Sequence, residues 1–363
     1  MSTESLFFVG TYTTRGSLGI YTVALDVDSG KMEEIFVDKS VSDPSFLKLN
    51  PKMNRLYAVS EVTDPVNHAI VSAFNINTDG SLKFLNSEST VGIGSCHINI
   101  DSSGSNIIVA NYHSGSVCLL PLGSDGELFS HSDFHQHIGS SSETNGSLLS
   151  NQQGPHAHSI SIDINDRFVY VCDLGKDMIV VYEIDFLNKK LIERDELNVM
   201  TDKGEGPRHF DFHPNLPYAY VINEIGSTVS VYDYNLESGQ LKQKQKISTL
   251  PDNFSQTNST ADVHVSKDGK FLYGSNRGHD SIAIFRINQN TGILEHIENQ
   301  TTMGHTPRNF SITPDENMIL VANQDSGDIF SFHRDRTSGL LEFTGNKLDI
   351  PAPVCIQFMG KNN

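Results

Sequence analysis

Short apolar stretches that end in a polar residue recur along this chain and define a repeated unit. Six of them end at Ser60, Asn111, Asp173, Asn223, Asn276 and Asn323, and residues 8–12 fit the same pattern. The six polar residues follow one another at steps of 51, 62, 50, 53 and 47 residues. A repeat of roughly 50 residues that contains several short β-type runs is typical of a propeller blade. Seven occurrences therefore predict seven blades.

Each unit has the same internal order of strands and turns. Alternating residues at 46–49 are followed by a turn at 50–54 and then by the apolar stretch. β-Branched and aromatic residues form a third strand, as at 178–182, and a hairpin such as 288–292 leads to a fourth. Turn residues roughly every ten positions, with period-2 runs between them, predict four antiparallel strands per blade. No stretch keeps helical apolar spacing over three turns, which argues against a helical repeat.

The two ends of the chain complement each other. Residues 353–358 have a first-strand pattern with no second strand after them, while residues 6–12 begin directly with a second-strand pattern. We expect the C-terminal strand to join residues 6–12 and close blade one, because closure removes exposed sheet edges. The repeats run through the whole chain, so residues 1–363 are interpreted as one all-β, seven-bladed propeller domain.

Blade boundaries follow from the same pattern. Blades two to seven are predicted to begin near Asp43, Ser95, Ala157, Pro207, Ala261 and Pro307. The longest step contains a polar Ser-, Gly-, Asn- and His-rich stretch at 130–153. We expect this stretch to be a mobile insertion between blades three and four.

Composition limits the class of protein. The chain has 26 basic and 44 acidic residues, a formal net charge of −18, which argues against a nucleic-acid-binding surface. It shows neither a secretory signal pattern nor an apolar run of membrane-spanning length, so we expect a soluble cytoplasmic protein without membrane association. We expect a monomer or weak homo-oligomer. The four cysteines lie in predicted strands without CxxC spacing and are expected to be buried small apolar side chains.

Charged residues interrupt the repeat in blades four, five and six. Aligned blades place His158 and Arg208 at one equivalent position, the start of the innermost strand. Glu224 and Arg277 share a second position, directly after the polar residue that ends the apolar stretch. Equivalent positions of neighbouring blades surround one channel, so we expect these four side chains to converge at its mouth. Two arginines, a histidine and a carboxylate at one site can bind an anion and transfer protons.

Other interpretations of these residues stay open. An arginine and a glutamate could pair only to stabilise packing. His156, His209, His213 and His279 are each expected, taken alone, to be structural or solvent-facing. His156 and His158 would point the same way on a strand, as two metal ligands do, but no third carboxylate ligand is evident, so no metal is expected. The chain also lacks a GxSxG nucleophile elbow and a phosphate-cradling glycine loop.

Five segments carry a resemblance to a known family. They are residues 7–26, 154–163, 204–224, 262–285 and 304–327. They resemble the seven-bladed lactonases, which include propeller-type 6-phosphogluconolactonases of bacteria and carboxy-muconate cyclases of fungi. The resemblance implies that the family's active-site His, Arg, Glu and Arg are His158, Arg208, Glu224 and Arg277 here.

The resemblance also implies an activity. It is the hydrolysis of 6-phospho-D-glucono-1,5-lactone to 6-phosphogluconate, the second step of the pentose phosphate pathway, by a carboxylic ester hydrolase without cofactor or metal. The expected partner is a small anionic sugar lactone. His158 or Glu224 would take the proton from water, while one arginine stabilises the oxyanion and the other holds the phosphate or a hydroxyl. Substrate contacts are further predicted for His156, His209, Asn223, Asn276 and Arg308.

Two alternatives belong to different classes. Another lactonase, or a lactone-forming cyclase of the carboxy-muconate type, needs the same anion-binding arginines and the same acid or base. A non-catalytic propeller that binds proteins on its rim is a second alternative. Such a scaffold has no reason to place charged side chains at matching inner positions of consecutive blades.

Overall fold

The computed structural model describes residues 4–62, 69–139 and 150–359. These residues form seven antiparallel sheets of four strands, and one sheet has an additional short strand. In blade order, each from its first strand, they are β29 (Pro353–Phe358), β1 (Glu4–Thr11), β2 (Ile20–Asp26), β3 (Met32–Asp38); β4 (Phe46–Leu49), β5 (Arg55–Val59), β6 (Ile70–Ile76), β7 (Leu82–Ser89); β8 (Ser95–Ile100), β9 (Asn106–Asn111), β10 (Ser116–Pro121), β11 (Asp133–Gln136); β12 (Ala157–Ile162), β13 (Phe168–Asp173), β14 (Met178–Asp185), β15 (Lys190–Glu193), β16 (Val199–Met200); β17 (Pro207–Phe212), β18 (Tyr218–Asn223), β19 (Thr228–Tyr234), β20 (Leu241–Ser248); β21 (Ser259–Val265), β22 (Phe271–Arg277), β23 (Ser281–Ile287), β24 (Leu294–Thr301); β25 (Pro307–Ile312), β26 (Met318–Asn323), β27 (Asp328–Arg334) and β28 (Leu341–Asp349). The predicted seven-bladed, four-stranded propeller is confirmed.

Burial within a blade follows the apolar pattern of the sequence. The second strand β9 is buried at every residue, whereas the outer strand β20 exposes most of its lysines and glutamines. The core lies between neighbouring sheets: Tyr57 and Val59 pack in one cluster with Ile98 and Val109 of the next blade. Each such apolar side chain contributes roughly 1.5–3 kcal/mol when fully buried. Middle strands are therefore apolar on both faces, and outer strands are not.

The predicted closure of blade one by both ends of the chain is confirmed. Strand β29 pairs antiparallel with β1, with Phe358 opposite Phe7 and Cys355 opposite Gly10. The rings of Phe7 and Phe358 are 5.4 Å apart between centroids. Pairing the last strand with the first leaves neither of them as an open edge on that side.

The predicted insertion at 130–153 begins too early and is corrected. Residues Asp133–Gln136 form β11, the outer strand of blade three, and pair with β10. His137, which follows directly, is buried. An outer strand packs against protein on one side only, so this segment needs few apolar residues and its sequence looks like a loop. The rest of the predicted insertion includes residues 140–149, which lie outside the described residues.

The chain divides into two compact units, Ser40–Phe210 and the described residues on either side of that segment. In the first unit, the first strands of blades two, three and four pack in order, β4 against β8 and β8 against β12. In the second unit, β18 contacts β21, β21 contacts β25 and β25 contacts β29. The prediction of one domain stays a prediction. Among the described residues, no helix is both long and apolar enough to cross a membrane.

The turn between the second and third strands has one geometry in five blades. Its last residue has a positive φ of 49° to 70° in each case: Gly115, Asp177, Ser227, Asp280 and Gly327. Glycine adopts this left-handed conformation without strain, and Asp tolerates it better than most residues. Glu224 is the first residue of such a turn, and Arg277, which directly follows the buried polar residue in the same way, is the last residue of β22.

Candidate active site

The polar residue that ends each apolar stretch is a buried anchor. It is nearly inaccessible to solvent in every blade: Thr11, Ser60, Asn111, Asp173, Asn223, Asn276 and Asn323. Asn276 donates from Nδ2 to the Thr249 carbonyl oxygen at 3.0 Å and accepts at Oδ1 from the Thr249 hydroxyl at 2.7 Å. Asn223 donates to the hydroxyls of Thr228 and Ser230 at 2.9 and 3.0 Å. Both buried amides therefore make hydrogen bonds within the protein, and the predicted substrate contacts of Asn223 and Asn276 stay predictions.

A β-bulge presents the candidates on the first strands. In β12 the pairing register shifts around His158, which is the extra residue of the bulge. The register of β25 shifts in the same way around Arg308. Arg208 is the second residue of β17, as His158 is of β12. A bulge turns a side chain out of the strict alternation of a strand, which is a common way to present a functional group.

In the unit Ser40–Phe210, aromatic rings surround the predicted site residues. The ring centroid of His209 lies 5.3 Å from that of His97 and 5.4 Å from that of His158, and both contacts are edge-on. Phe46 packs on His97 at 4.2 Å. His158 is 5% exposed and Arg208 is 2% exposed. The unit therefore holds its arginine and its histidine in a dense, largely water-excluded cluster.

The side chains of Arg208 and His209 are hydrogen-bonded to each other. Nη1 of Arg208 lies 3.0 Å from Nε2 of His209. A guanidinium has only donors, so His209 accepts with Nε2 and is neutral, with its proton on Nδ1. His209 therefore orients the arginine, and its predicted contact with substrate stays a prediction. Sequence reasoning missed His97 and Phe46, although both occupy the position of His209 in the aligned repeats.

His156 lies beside this cluster, against Tyr112. Its ring stacks on the Tyr112 ring at 4.5 Å with an interplanar angle of 20°, and His158 meets the same ring edge-on at 5.3 Å. Nδ1 of His156 is 2.8 Å from the Tyr112 carbonyl oxygen. The two histidines of the Pro-His-Ala-His segment thus share one aromatic neighbour. Tyr112 was also missed, although it occupies the turn position that Glu224 holds in blade five.

In the other unit, Glu224 and Arg277 form an ion pair. Nη2 of Arg277 is 3.0 Å from Oε2 of Glu224 and 2.7 Å from the carbonyl oxygen of Thr260. The side chains of Arg277 and Glu224 are 13% and 16% exposed. Among the described residues, the buried Nε of Arg277 has no hydrogen-bond partner. An arginine that is held in place and still partly exposed is suited to bind an anionic oxygen.

His213 and His279 have structural partners, as expected. His213 donates from Nε2 to the Gly269 carbonyl oxygen at 3.0 Å, and its Nδ1 accepts from two backbone N–H groups of the following turn. His279 bonds the Ser281 hydroxyl at 2.7 Å, and its ring meets Phe254 edge-on at 4.7 Å. Burial lowers the pKa of both histidines. Both therefore favour the neutral form.

Arg308 has an aromatic neighbour in blade one. Its guanidinium carbon lies 5.5 Å from the centroid of the Tyr12 ring, a distance at which a cation and a π face attract each other. The side chain is partly buried. Its predicted contact with substrate stays a prediction.

A further polar cluster connects the first strands of blades five, six and seven. Nε2 of His264 is 3.0 Å from Oδ2 of Asp262, and Asn309 donates to the same oxygen at 2.5 Å. Asp211 accepts from the backbone N–H of Val265 at 2.8 Å. Burial alone would lower the pKa of His264, but the negative charges of Asp262 and Asp211 outweigh it and raise that pKa to about 9. Sequence reasoning did not single out this cluster.

The described residues form no metal-binding cluster and no disulfide. Within the residues that the structure describes, no three His, Cys, Asp or Glu side chains are arranged to hold a metal ion. The four cysteines Cys96, Cys118, Cys172 and Cys355 are free and buried, as predicted. Burial raises the pKa of Cys118 and of Cys172 to about 12, so these thiols are poor nucleophiles.

The four predicted active-site residues are divided between the two units. His158 and Arg208 belong to Ser40–Phe210, and Glu224 and Arg277 belong to the other unit. Each pair has a defined geometry within its own unit. That all four side chains meet at one substrate stays a prediction.

Comparisons with known proteins agree with the sequence resemblance. The family model described as Lactonase, 7-bladed beta-propeller matches residues 6–358. A 6-phosphogluconolactonase of Bacillus subtilis is 32% identical over 358 residues, which cover 98% of this chain and 99% of that protein. A solved structure of a putative 6-phosphogluconolactonase from Bacteroides fragilis has a TM-score of 0.90 at 34% identity, covering 99% of this chain and 98% of that one. A periplasmic gluconolactonase of Pseudomonas aeruginosa has a TM-score of 0.92 at 27% identity, covering 99% and 100%.

Proposed function

The chain belongs to the seven-bladed β-propeller lactonase family, and on that premise we propose that it hydrolyses 6-phospho-D-glucono-1,5-lactone to 6-phosphogluconate in the cytoplasm. The family match over residues 6–358 carries the proposal, because all four residue types of the family's active site stand at their motif positions. They are His158, Arg208, Glu224 and Arg277. The product would feed the pentose phosphate pathway.

The reaction needs a proton acceptor and a group that stabilises negative charge. A water oxygen attacks the C1 carbonyl carbon of the lactone, and the carbonyl oxygen becomes an oxyanion before the C1–O5 bond breaks. We assign oxyanion stabilisation to Arg277, whose partly exposed guanidinium is held in place by Glu224 and by the Thr260 carbonyl oxygen. Preorganised donors of this kind are typically worth 10²- to 10³-fold in turnover each.

The choice of base follows from the ion pair. Glu224 lies 3.0 Å from Arg277, and a neighbouring positive charge stabilises the ionised carboxylate and weakens it as a base. His158, on the bulge of β12, has an imidazole whose ordinary pKa is close to neutral pH. We therefore assign proton removal from water to His158. Glu224 is assigned to holding Arg277 in place.

Substrate charge is the second requirement. A net charge of −18 repels a phosphorylated lactone, so the site has to reverse the local potential. Arg208 is buried and oriented by His209, which is the environment in which a planar guanidinium binds a phosphate or carboxylate with two parallel hydrogen bonds. We assign the phosphate to Arg208, with Arg308 as a further cation at the equivalent repeat position.

One alternative substrate is favoured by a specific observation. The chain matches the fold of a periplasmic gluconolactonase over 99% of its length, and that name implies a lactone without phosphate. Opening the unphosphorylated lactone would use the same acid–base groups and the same oxyanion donor. Only the role of the phosphate-binding arginine would differ.

The test is a direct assay. Freshly prepared 6-phosphogluconolactone and glucono-1,5-lactone are each supplied to the protein, and kcat/KM is measured above the spontaneous hydrolysis rate, with and without EDTA. We expect the phosphorylated lactone to be preferred by at least about tenfold, and activity to survive exhaustive chelation. An equal or reversed preference would favour the alternative function, hydrolysis of glucono-1,5-lactone. Loss with EDTA and recovery with a divalent ion would contradict the metal-free mechanism.

A further inference from the structure

The Pro-His-Ala-His segment of blade four is clamped at its first histidine. The backbone N–H of His156 donates to Oδ1 of Asp173 at 2.8 Å, and its carbonyl oxygen accepts from the N–H of Leu174 at 3.0 Å. Gly175 lies so close to Gly154 that a Cβ at position 175 would overlap the Gly154 carbonyl oxygen. The backbone on both sides of His156 is therefore held by the turn that follows β13.

The clamp extends to the outer strand of blade three. Nδ1 of His137 lies 2.6 Å from Oδ2 of Asp173, and its Nε2 lies 2.9 Å from the hydroxyl of Tyr182. The side chains of His137 and Asp173 are 3% and 0% exposed. Asp173 also accepts from the backbone N–H of Lys176 at 3.1 Å. A carboxylate has only acceptors, and here it meets three donors; the other blades have Asn, Ser or Thr at this position.

The imidazole of His156 is fixed in one tautomer. A carbonyl oxygen only accepts, so Nδ1 of His156 donates to Tyr112 and keeps its proton. Nε2 is then the nitrogen that gains and loses a proton. Within residues 4–62, 69–139 and 150–359 no group bonds to Nε2, and the side chain is half-buried. The ring is also stacked on Tyr112, which His158 contacts as well.

We propose that His156 is a proton-transfer residue of the lactonase site, and that Asp173 and His137 are its positioning residues. This inference rests on the proposed function. Nε2–H of protonated His156 gives its proton to O5 as the C1–O5 bond breaks, while His158 takes a proton from the attacking water. Afterwards His158 releases its proton to solvent and His156 regains one from solvent. The water ends as the new carboxyl oxygen, and O5 ends as a hydroxyl.

A change of leaving group tests the proton-transfer role. We compare the turnover of wild type and of His156→Ala on 6-phosphogluconolactone, the oxygen lactone, and on the corresponding thiolactone. The thiolate of the thiolactone leaves without protonation. Turnover of the oxygen lactone should fall by about 10²-fold or more, and that of the thiolactone by less than about fivefold. Added imidazole should restore part of the lost turnover. The matched control is His113→Ala, an exposed histidine whose ring also contacts Tyr112 at 5.4 Å, and it should stay within about twofold of wild type.

A second comparison tests the positioning role. His137→Asn should lower turnover by about tenfold, and it should have no further effect when His156 is already Ala. The control is His135→Asn, because His135 contacts the same Tyr182 ring but pairs with Asp133. If His137→Asn does not fold, Tyr182→Phe removes only the hydroxyl bonded to His137 and should lower turnover about two- to fivefold, because one hydrogen bond that positions His137 is lost.

The outcomes separate this inference from the proposed function. Equal losses on lactone and thiolactone without rescue by imidazole would make His156 a structural residue and overturn the inference, while wild-type activity would leave the proposed function standing. Additive effects of the His137 and His156 variants would overturn the positioning role. A wild type that hydrolyses neither lactone contradicts the proposed function, and the inference with it.

Discussion

Blades four and six have the same backbone plan and use it for different chemistry. In blade four the bulge position of the first strand holds His158, and the residue directly after the buried anchor is Leu174; in blade six these positions hold Ala261 and Arg277. The buried anchor before the turn differs too, Asp173 in one blade and Asn276 in the other. Blade four therefore contributes imidazoles, while blade six contributes a guanidinium.

The anchors show how partners select a residue type. Asn276 donates to one carbonyl and accepts from the hydroxyl of the same Thr249, so its amide satisfies donors and acceptors at once. Asp173 receives hydrogen bonds from His137 and from two backbone N–H groups, and a carboxylate accepts all three. The repeat specifies a short polar residue at this position. The neighbouring elements decide whether it is an acid or an amide.

The largest expected effect concerns Glu224, which holds the guanidinium that blade six contributes. Glu224→Gln keeps the shape of the side chain but removes the charge that holds Arg277 at 3.0 Å, so turnover should fall by about 10²-fold or more with little change in melting temperature. Turnover and thermal unfolding are measured together. The control is Glu183→Gln on β14, which breaks ion pairs with Arg167 and Arg194 and should leave turnover unchanged. A Glu224→Gln protein that unfolds while its folded fraction keeps full activity would make Glu224 a packing residue.

Exchanging the anchor type should break blade six. Asn276→Asp places an acceptor oxygen against the Thr249 carbonyl oxygen and adds a buried negative charge, so the free energy of unfolding should fall by about 2 kcal/mol. Urea unfolding measures it. Asn288→Asp is the control, because exposed Asn288 uses only its carbonyl oxygen, as an acceptor for turn N–H groups, and should change stability by less than about 0.5 kcal/mol. Equal effects of the two substitutions would show that donor count does not select the anchor.

A substitution of Arg208 tests whether the part of the site that contains His158 and His209 also needs a planar cation. Arg208→Lys keeps the charge but loses the fork and the bond to His209, so kcat/KM for the phosphorylated lactone should fall by about tenfold, mainly through KM. Arg167→Lys, an exposed arginine paired with Glu183 in the same unit, should leave kcat/KM unchanged. If Arg208→Lys lowers kcat/KM equally for the phosphorylated and the unphosphorylated lactone, Arg208 does not recognise the phosphate.

The smallest expected effect is a pH dependence within the second unit. Asp262 and Asp211 raise the pKa of His264 to about 9, so the protonated histidine stabilises the fold fully below pH about 6.5, and this contribution is lost as pH rises through about 9. Melting temperature is recorded from pH 6 to pH 10. Part of the decline in melting temperature above pH 7 should disappear in His264→Gln. It should persist in His296→Gln, because His296 is an exposed histidine of β24. Identical profiles for all three proteins would remove His264 as the source.

Much of the fold was predictable because its information is local and repeated. The apolar stretches, their turns and the near-constant step determined seven blades, the closure by residues 353–358 and the position of His158, Arg208, Glu224 and Arg277 in the repeat. The start of the insertion was predicted wrongly, since an outer strand such as Asp133–Gln136 needs no apolar alternation and looks like a loop.

Only the tertiary structure decided which side chains meet. Asn223 and Asn276 lie next to the catalytic candidates in sequence, yet their amides are buried in the blades that they anchor. His137 and Asp173 are 36 residues apart and belong to different blades, and no period in the sequence pairs them. Hydrophobic periodicity specifies which face of a strand is buried, because burial depends on the residue itself. A hydrogen bond between blades depends on the packing of both, so the sequence alone determined the blades and the packing of neighbouring sheets determined the partners.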